Sequence, residues 1–232
     1  MAELVLIYGQ SGSGKSRSIC SFGEREVLVY QCEKKRLPAR TNFKYIMQYD
    51  RNKGMADNIK RLKTALYKMP TNAAVIDDLT YLSTNMFMDG HRNKKNSFEL
   101  YDDIADMVWD VFKFIKDGLP DDKIVYIIMH EDTTDLGNTK LRTIGRLLDN
   151  KVCLEGMTTI CLRCMSSLGR HFFKTVTDGN DITKSPEGMF PEEIDNDLRL
   201  VDTTIREYYG MAPLTVEQAD NTTAEADEKE SA

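Results

Sequence analysis

Gly9-Gln10-Ser11-Gly12-Ser13-Gly14-Lys15-Ser16 fits G-x-x-x-x-G-K-[ST] at every fixed position and follows the apolar run Leu4-Val5-Leu6-Ile7-Tyr8. A buried-type strand that runs through such a loop into a helix is the arrangement of a phosphate-binding loop, and it sets an α/β fold. Each residue type has a physical reason. Gly9, Gly12 and Gly14 permit backbone conformations that a Cβ would hinder, so the N–H groups of Gln10, Ser11, Ser13 and their neighbours turn inward on a polyphosphate. Lys15 brings a positive charge to the β and γ phosphates. Ser16 offers a hydroxyl to magnesium, and Arg17 follows at the start of the helix, where the backbone dipole favours anions. The expected ligands of the motif itself are a nucleotide polyphosphate and Mg2+.

Outward from the loop, strands and helices alternate. Arg17 to Phe22 reads as a short helix ended by Gly23, Glu26 to Tyr30 as a second strand ending on Gln31-Cys32-Glu33, and Phe43 to Met47 as a third. Lys34-Lys35-Arg36 is a basic run before Pro38. Met55, Ile59, Leu62, Leu66 and Met69 recur at helical spacing, with Pro70 closing the helix. Ala73-Ala74-Val75-Ile76 is an apolar strand ending in Asp77-Asp78, a magnesium-side pair for the phosphate loop.

Residues 83–96 are polar and read as a long exposed loop carrying His91-Arg92-Asn93-Lys94-Lys95. Ser97 caps a periodic helix in which Phe98, Tyr101, Ile104, Val108, Phe112 and Ile115 face the core. Ile124 to Met129 is the most apolar strand and leads to His130-Glu131. Thr158–Met165 and Arg170–Thr177 read as an antiparallel hairpin. Asp197 to Tyr209 reads as a final helix with Leu198, Val201, Ile205 and Tyr208 on one stripe.

This order predicts a mainly parallel central sheet with helices on both faces and an antiparallel hairpin near the C-terminus. Ligands of such folds bind at the carboxyl ends of the strands, where Gly9 to Ser16, Glu33, Asp77-Asp78 and His130-Glu131 all fall. The expected division is one domain over 1–210 and an acidic disordered tail over 211–232.

Bulk composition bounds the rest. The net charge is −6, but residues 211–232 hold six acids and one base, so the body is close to neutral and its sign says little about partners. No stretch approaches the ~20 apolar residues of a membrane span. The N-terminal residues lack a secretory pattern, and the expected location is cytoplasmic. Five cysteines are expected to be free thiols; Cys161-Leu162-Arg163-Cys164 has C-x-x-C spacing without a second pair for zinc.

The sequence resembles the RecA-like ATPases, and more closely the small phage ATP-binding proteins of that class that accompany recombination and single-strand annealing. The likeness covers residues 3–210 and lies in the order of parts. These are the phosphate loop, the strand ending at Glu33, the strand to Asp78, the strand to His130, the hairpin, and Gly188-Met189-Phe190-Pro191 before the last helix.

The resemblance implies a RecA-like phosphate-loop ATPase in a homo-oligomer that acts with single-stranded DNA, and with a single-stranded-DNA-binding protein. It assigns Glu33 as the catalytic glutamate, with Asp78 the competing acid because many other phosphate-loop ATPases place theirs after the metal-side aspartate. Lys15 serves catalysis as well as binding. Ser16 and Asp77 take the metal, and His130 stands where a γ-phosphate sensor is usual, although glutamine is commoner there. Lys140, Arg142 and Arg146 occupy the position of a DNA-contacting loop, and Arg92, Lys94 and Lys95 form a second basic surface. Arg146 or Lys151 is placed to complete a neighbouring subunit's site. Two other functions share these motifs: a small-molecule kinase, and a nucleotide-dependent loader that binds a helicase or DNA-binding partner.

Overall fold

The computed structural model describes residues 1–93, 96–145, 148 and 151–215. In chain order these form β1 (Glu3–Gly9), α1 (Lys15–Ser18) with a 3-10 turn over Ile19–Ser21, β2 (Leu28–Gln31), β3 (Tyr45–Gln48) and α2 (Met55–Lys68). Then follow β4 (Ala73–Asp77), α3 (Leu79–Arg92), α4 (Ser97–Gly118), β5 (Ile124–Thr133), β6 (Thr139–Leu141), β7 (Ile160–Ser167), β8 (Arg170–Lys174), β9 (Glu193–Asp195) and α5 (Leu198–Tyr209).

The strands make one mixed sheet in the order β3-β2-β4-β5-β1-β7-β8-β9, with β6 paired to β5. From β3 to β7 every neighbour is parallel. The pairs β7–β8, β8–β9 and β5–β6 are antiparallel. Strand β1 lies inside the sheet between β5 and β7, and its side chains are buried on both faces. Leu4, Leu6 and Tyr8 join Leu62 and Leu66 of α2, Leu79 and Leu82 of α3, and Ile104, Val108 and Phe112 of α4 in one core. Val5 and Ile7 join Ile19, Phe22 and the α5 stripe Leu198, Val201 and Ile205 in the other. This accounts for the continuous apolar runs of β1, β4 and β5: a parallel strand covered on both faces has no polar side to alternate with.

The structure corrects several sequence expectations. The polar stretch 83–96 is not a loop up to Arg92, because α3 runs through it. Its narrow apolar stripe, Leu79, Leu82 and Met86, ends at Gly90, where an added Cβ would lie 2.3 Å from Leu100 Cδ1. The missing side chain lets α4 approach closely, and Leu100 takes the core place expected of Phe98, which is 79% exposed. On α5, Tyr208 likewise lies outside the buried stripe, and its hydroxyl donates to the Glu187 carbonyl.

Strand β2 starts two residues later than expected. Glu26 is held instead by the Gly23 N–H at 2.7 Å and by Arg199, bidentate at 2.7 and 2.9 Å. The polar stretch after His130 is a hairpin in which β5 extends to Thr133 and pairs with β6.

The C-terminal segment is fixed by polar contacts at the end of the sheet opposite the phosphate loop. Arg206, 3% exposed, pairs with Asp202 at 2.5 Å and donates to the carbonyls of Asn72, Asp122 and Ala212. The Asn72 side chain donates to the Pro213 carbonyl and accepts from the Thr215 N–H. Met211 to Thr215, which composition groups with the tail, thus run along the body. The expected disorder beyond them falls on 216–232, outside the described residues. Among the described residues no helix is long and apolar enough to cross a membrane.

Candidate functional site

The phosphate loop leaves β1 at the middle of the sheet, where Gly9 registers with His130 on β5. Gly12 and Gly14 have φ of 82° and 107°, conformations that side chains disfavour. At Gly14 a Cβ would also meet the His171 ring at 2.9 Å. His171 on β8 donates from Nδ1 to the Ser13 carbonyl at 2.8 Å, and the Cys164 thiol on β7 donates to the same oxygen at 3.2 Å. Two strands outside the motif therefore fix the loop's curvature.

Lys15 is 6% exposed and donates to the carbonyls of Gly9 and Gln10 at 2.8 and 2.7 Å. Burial depresses its pKa, which the neighbouring Asp78 carboxylate partly opposes. The Ser16 hydroxyl donates to Asp77 Oδ1 at 2.9 Å, while Asp77 Oδ2 is buried without a hydrogen-bond partner. An orphaned carboxylate oxygen beside a hydroxyl fits one corner of a magnesium site. Among the described residues no three His, Cys, Asp or Glu groups are placed so that they alone could hold a metal ion. The remaining ligands of such an ion would be phosphate oxygens and water, as Mg2+ favours.

Asp78 follows at the start of α3, whose Thr80 N–H donates to Asp78 Oδ1 at 2.9 Å. Its Oδ2 lies 3.0 Å from His130 Nε2. Burial raises the Asp78 pKa to about 6, and burial with nearby cations lowers that of His130 to about 4. At neutral pH the pair thus holds a neutral imidazole donating its Nε2 proton to a carboxylate. Thr80 accepts the His130 backbone N–H at 3.0 Å, and Tyr81 packs edge-on against its ring.

Ser11, Gly12, Gly14, Lys15, Ser16, Arg17, Asp78 and His130 line one cavity of about 480 Å³. Lys35, Arg36, Pro38, Tyr81 and His171 complete its wall. None of these five was a sequence candidate. The run Lys34-Lys35-Arg36 was visible, but only the fold turns it over the phosphate loop. A second polar cavity, about 410 Å³, adjoins the first and shares Ser11, Tyr81 and His130 with it; Gln10, Thr84, Thr133 and Arg142 are among its other walls.

Glu33 lies outside both cavities. Its carboxylate is gripped by Arg51 at 2.7 and 2.9 Å and lines a separate depression with Gln48 and Asp50. Glu131 is likewise committed, bidentate with Arg163 at 2.9 and 3.0 Å.

Arg142 stands beside the hairpin Asp132, 4.0 Å away, and Lys140 registers with Asp132 across β5 and β6. Arg92 sits at the far end of α3, about 20 Å from Asp78 at 1.5 Å per residue, and lines neither cavity. Lys94, Lys95 and Arg146 lie outside the described residues. All five cysteines are free thiols.

In comparisons with known proteins, neither a family model nor a curated protein matches the chain.

Proposed function

We propose that the chain binds and hydrolyses MgATP as a RecA-like ATPase and works with single-stranded DNA in recombination, annealing or replication. One observation carries the nucleotide part: Lys15, Ser16, Asp78 and His130, brought by three adjacent strands, line a single cavity at the phosphate loop, with Asp77 buried behind Ser16. The DNA part is supported more simply. The hairpin of β5 and β6, bearing Lys140 and Arg142, continues directly from His130, so a cationic element adjoins the cavity wall.

In this reading the loop amides and Lys15 hold the phosphates, with Lys15 exchanging its two carbonyl partners for phosphate oxygens. Ser16 and Asp77 would hold a magnesium ion, which would supply charge neutralisation at the phosphates. Asp78 accepts a hydrogen bond from the attacking water and takes its proton, while His130 fixes the carboxylate from the other side. The placement favours Asp78 over Glu33, because Asp78 lines the cavity and Glu33 is turned toward Arg51.

The variant pair tests this directly. Asp78→Asn is expected to lower turnover by about 10²-fold or more with nucleotide binding retained. Glu33→Gln, which alters only an exposed ion pair, is expected to change it by no more than about threefold. The reverse ranking, in a steady-state phosphate-release assay, returns the catalytic role to Glu33.

The same assay with and without a short single-stranded oligonucleotide tests the partner. Stimulation is expected and should weaken as salt rises. A DNA-independent rate, with no DNA binding at low salt, removes the DNA part.

A second reading, phosphoryl transfer to a small hydroxyl acceptor, is favoured by the adjoining polar cavity. Terminal phosphate recovered on a nucleoside, rather than as inorganic phosphate, would establish it.

A further inference from the structure

We infer that Lys35 is a second phosphate-binding cation, supplied by this chain's own loop after β2, that discriminates triphosphate from diphosphate in the site. The inference rests on the nucleotide-binding reading above and adds a residue that the phosphate-loop motif does not contain.

The loop is built to hold Lys35 in place. Gln31, the last residue of β2, is 1% exposed, and its Nε2 donates to the Lys35 carbonyl at 3.1 Å. Its Oε1 accepts from Gln48 Nε2 at 2.8 Å, which fixes the amide's orientation. One residue on, the Cys32 N–H donates to the Asp77 carbonyl at 2.7 Å, and the Cys32 carbonyl accepts from Asn85 of α3 at 3.1 Å. The root of the loop is thereby tied to the acid-bearing strand and to the helix that follows it. A buried amide committed to one loop carbonyl is costly to leave unmatched, so the backbone at Lys35 is well determined.

Its ammonium group is less committed. Nζ lies 3.6 Å from Asp77 Oδ1, an oxygen already engaged by Ser16, and the side chain is 39% exposed. This is a resting contact from which a four-carbon stem can move at little cost. Lys35 itself lines the cavity, together with Lys15 and His130.

Charge balance points the same way. Lys15, Arg17, Lys35 and Arg36 line the cavity, against Asp78 on the wall and Asp77 behind Ser16. The surplus of two positive charges matches the two negative charges that MgATP carries, and exceeds what MgADP needs. Lys15 alone, resting on the Gly9 and Gln10 carbonyls, does not give this balance.

The experiment is equilibrium binding of ADP and of the non-hydrolysable β,γ-imido analogue of ATP, both with Mg2+, to the full-length wild type, Lys35→Ala and Lys35→Arg, with thermal melting of each. Lys35→Ala is expected to weaken the triphosphate analogue about tenfold and ADP less than about twofold, as loss of one charge-assisted contact predicts. Lys35→Arg should restore most of the discrimination, and melting should be unchanged. Equal weakening of both nucleotides, or no change in either, overturns the inference and leaves Lys35 as a partner of Asp77 only. Failure of the wild type to bind either nucleotide overturns the nucleotide reading itself, and the inference with it.

Discussion

Lys15→Ala is expected to abolish ATP turnover, by at least about 10²-fold, and to weaken nucleotide binding without lowering the melting temperature. The asymmetry follows from the environment of the ammonium group. Lys15 is buried, burial depresses its pKa, and its hydrogen bonds go to two carbonyls of the same loop. Burying a cation costs free energy that those contacts only partly offset, so its removal leaves the fold no worse. The loop keeps its curvature because Ser13 is held from outside by His171 and Cys164. What disappears is the charge that phosphate would meet. Turnover and binding are to be measured beside a melting curve; a variant that melts early would show the lysine to be structural, and one that hydrolyses normally would remove the site from this loop.

The largest effect on stability is expected from Arg206→Met, a loss of about 3–5 kcal/mol, or roughly 10 °C in melting temperature for a chain of this size. The substitution keeps an apolar stem but leaves Asp202 buried without its cation and frees the carbonyls of Asn72, Asp122 and Ala212. Tyr126 still donates its hydroxyl to Asp202 at 3.0 Å. Burial already raises the Asp202 pKa, against the pull of Arg206, and without the guanidinium it rises further.

A carboxyl whose folded pKa exceeds its unfolded value loses stability as pH climbs between the two. The deficit of Arg206→Met should therefore be smaller in mild acid than at neutral pH, since protonation removes the uncompensated charge of Asp202. Denaturant titrations at both pH values check this, and a deficit that does not change with pH would locate the loss in the carbonyl contacts alone. Asp202→Asn combined with Arg206→Met should recover part of the loss, since the uncompensated charge is then gone.

Much of this arrangement was legible from residue order, for identifiable reasons. Doubly covered strands must be apolar throughout, so β1, β4 and β5 declared themselves, and the phosphate loop marked which strand end mattered. Helix α3 did not, because Thr84, Asn85, Asp89 and His91 interrupt its apolar positions, and its packing depends on Gly90, whose contribution is the absence of a side chain. Glu33 illustrates a different limit. Its place at a strand end was readable, but whether the carboxylate turns toward the phosphate loop or toward Arg51, eighteen residues on, depends on a tertiary partner. Lys35 and His171 reach the cavity through a loop and a distant strand, and nothing at either position in sequence announces it.

The interior position of β1 carries a consequence for the order of assembly. The phosphate loop leaves the ribosome well before both flanking neighbours of its strand, β5 from Ile124 and β7 from Ile160. The contacts that shape the loop at Ser13 come later still, from Cys164 and His171. A nascent chain therefore carries its nucleotide motif, until β5 has been made, beside an unpaired apolar strand exposed to other chains, a condition in which aggregation competes with folding. Residues 9–16 take their final shape only once synthesis has passed His171.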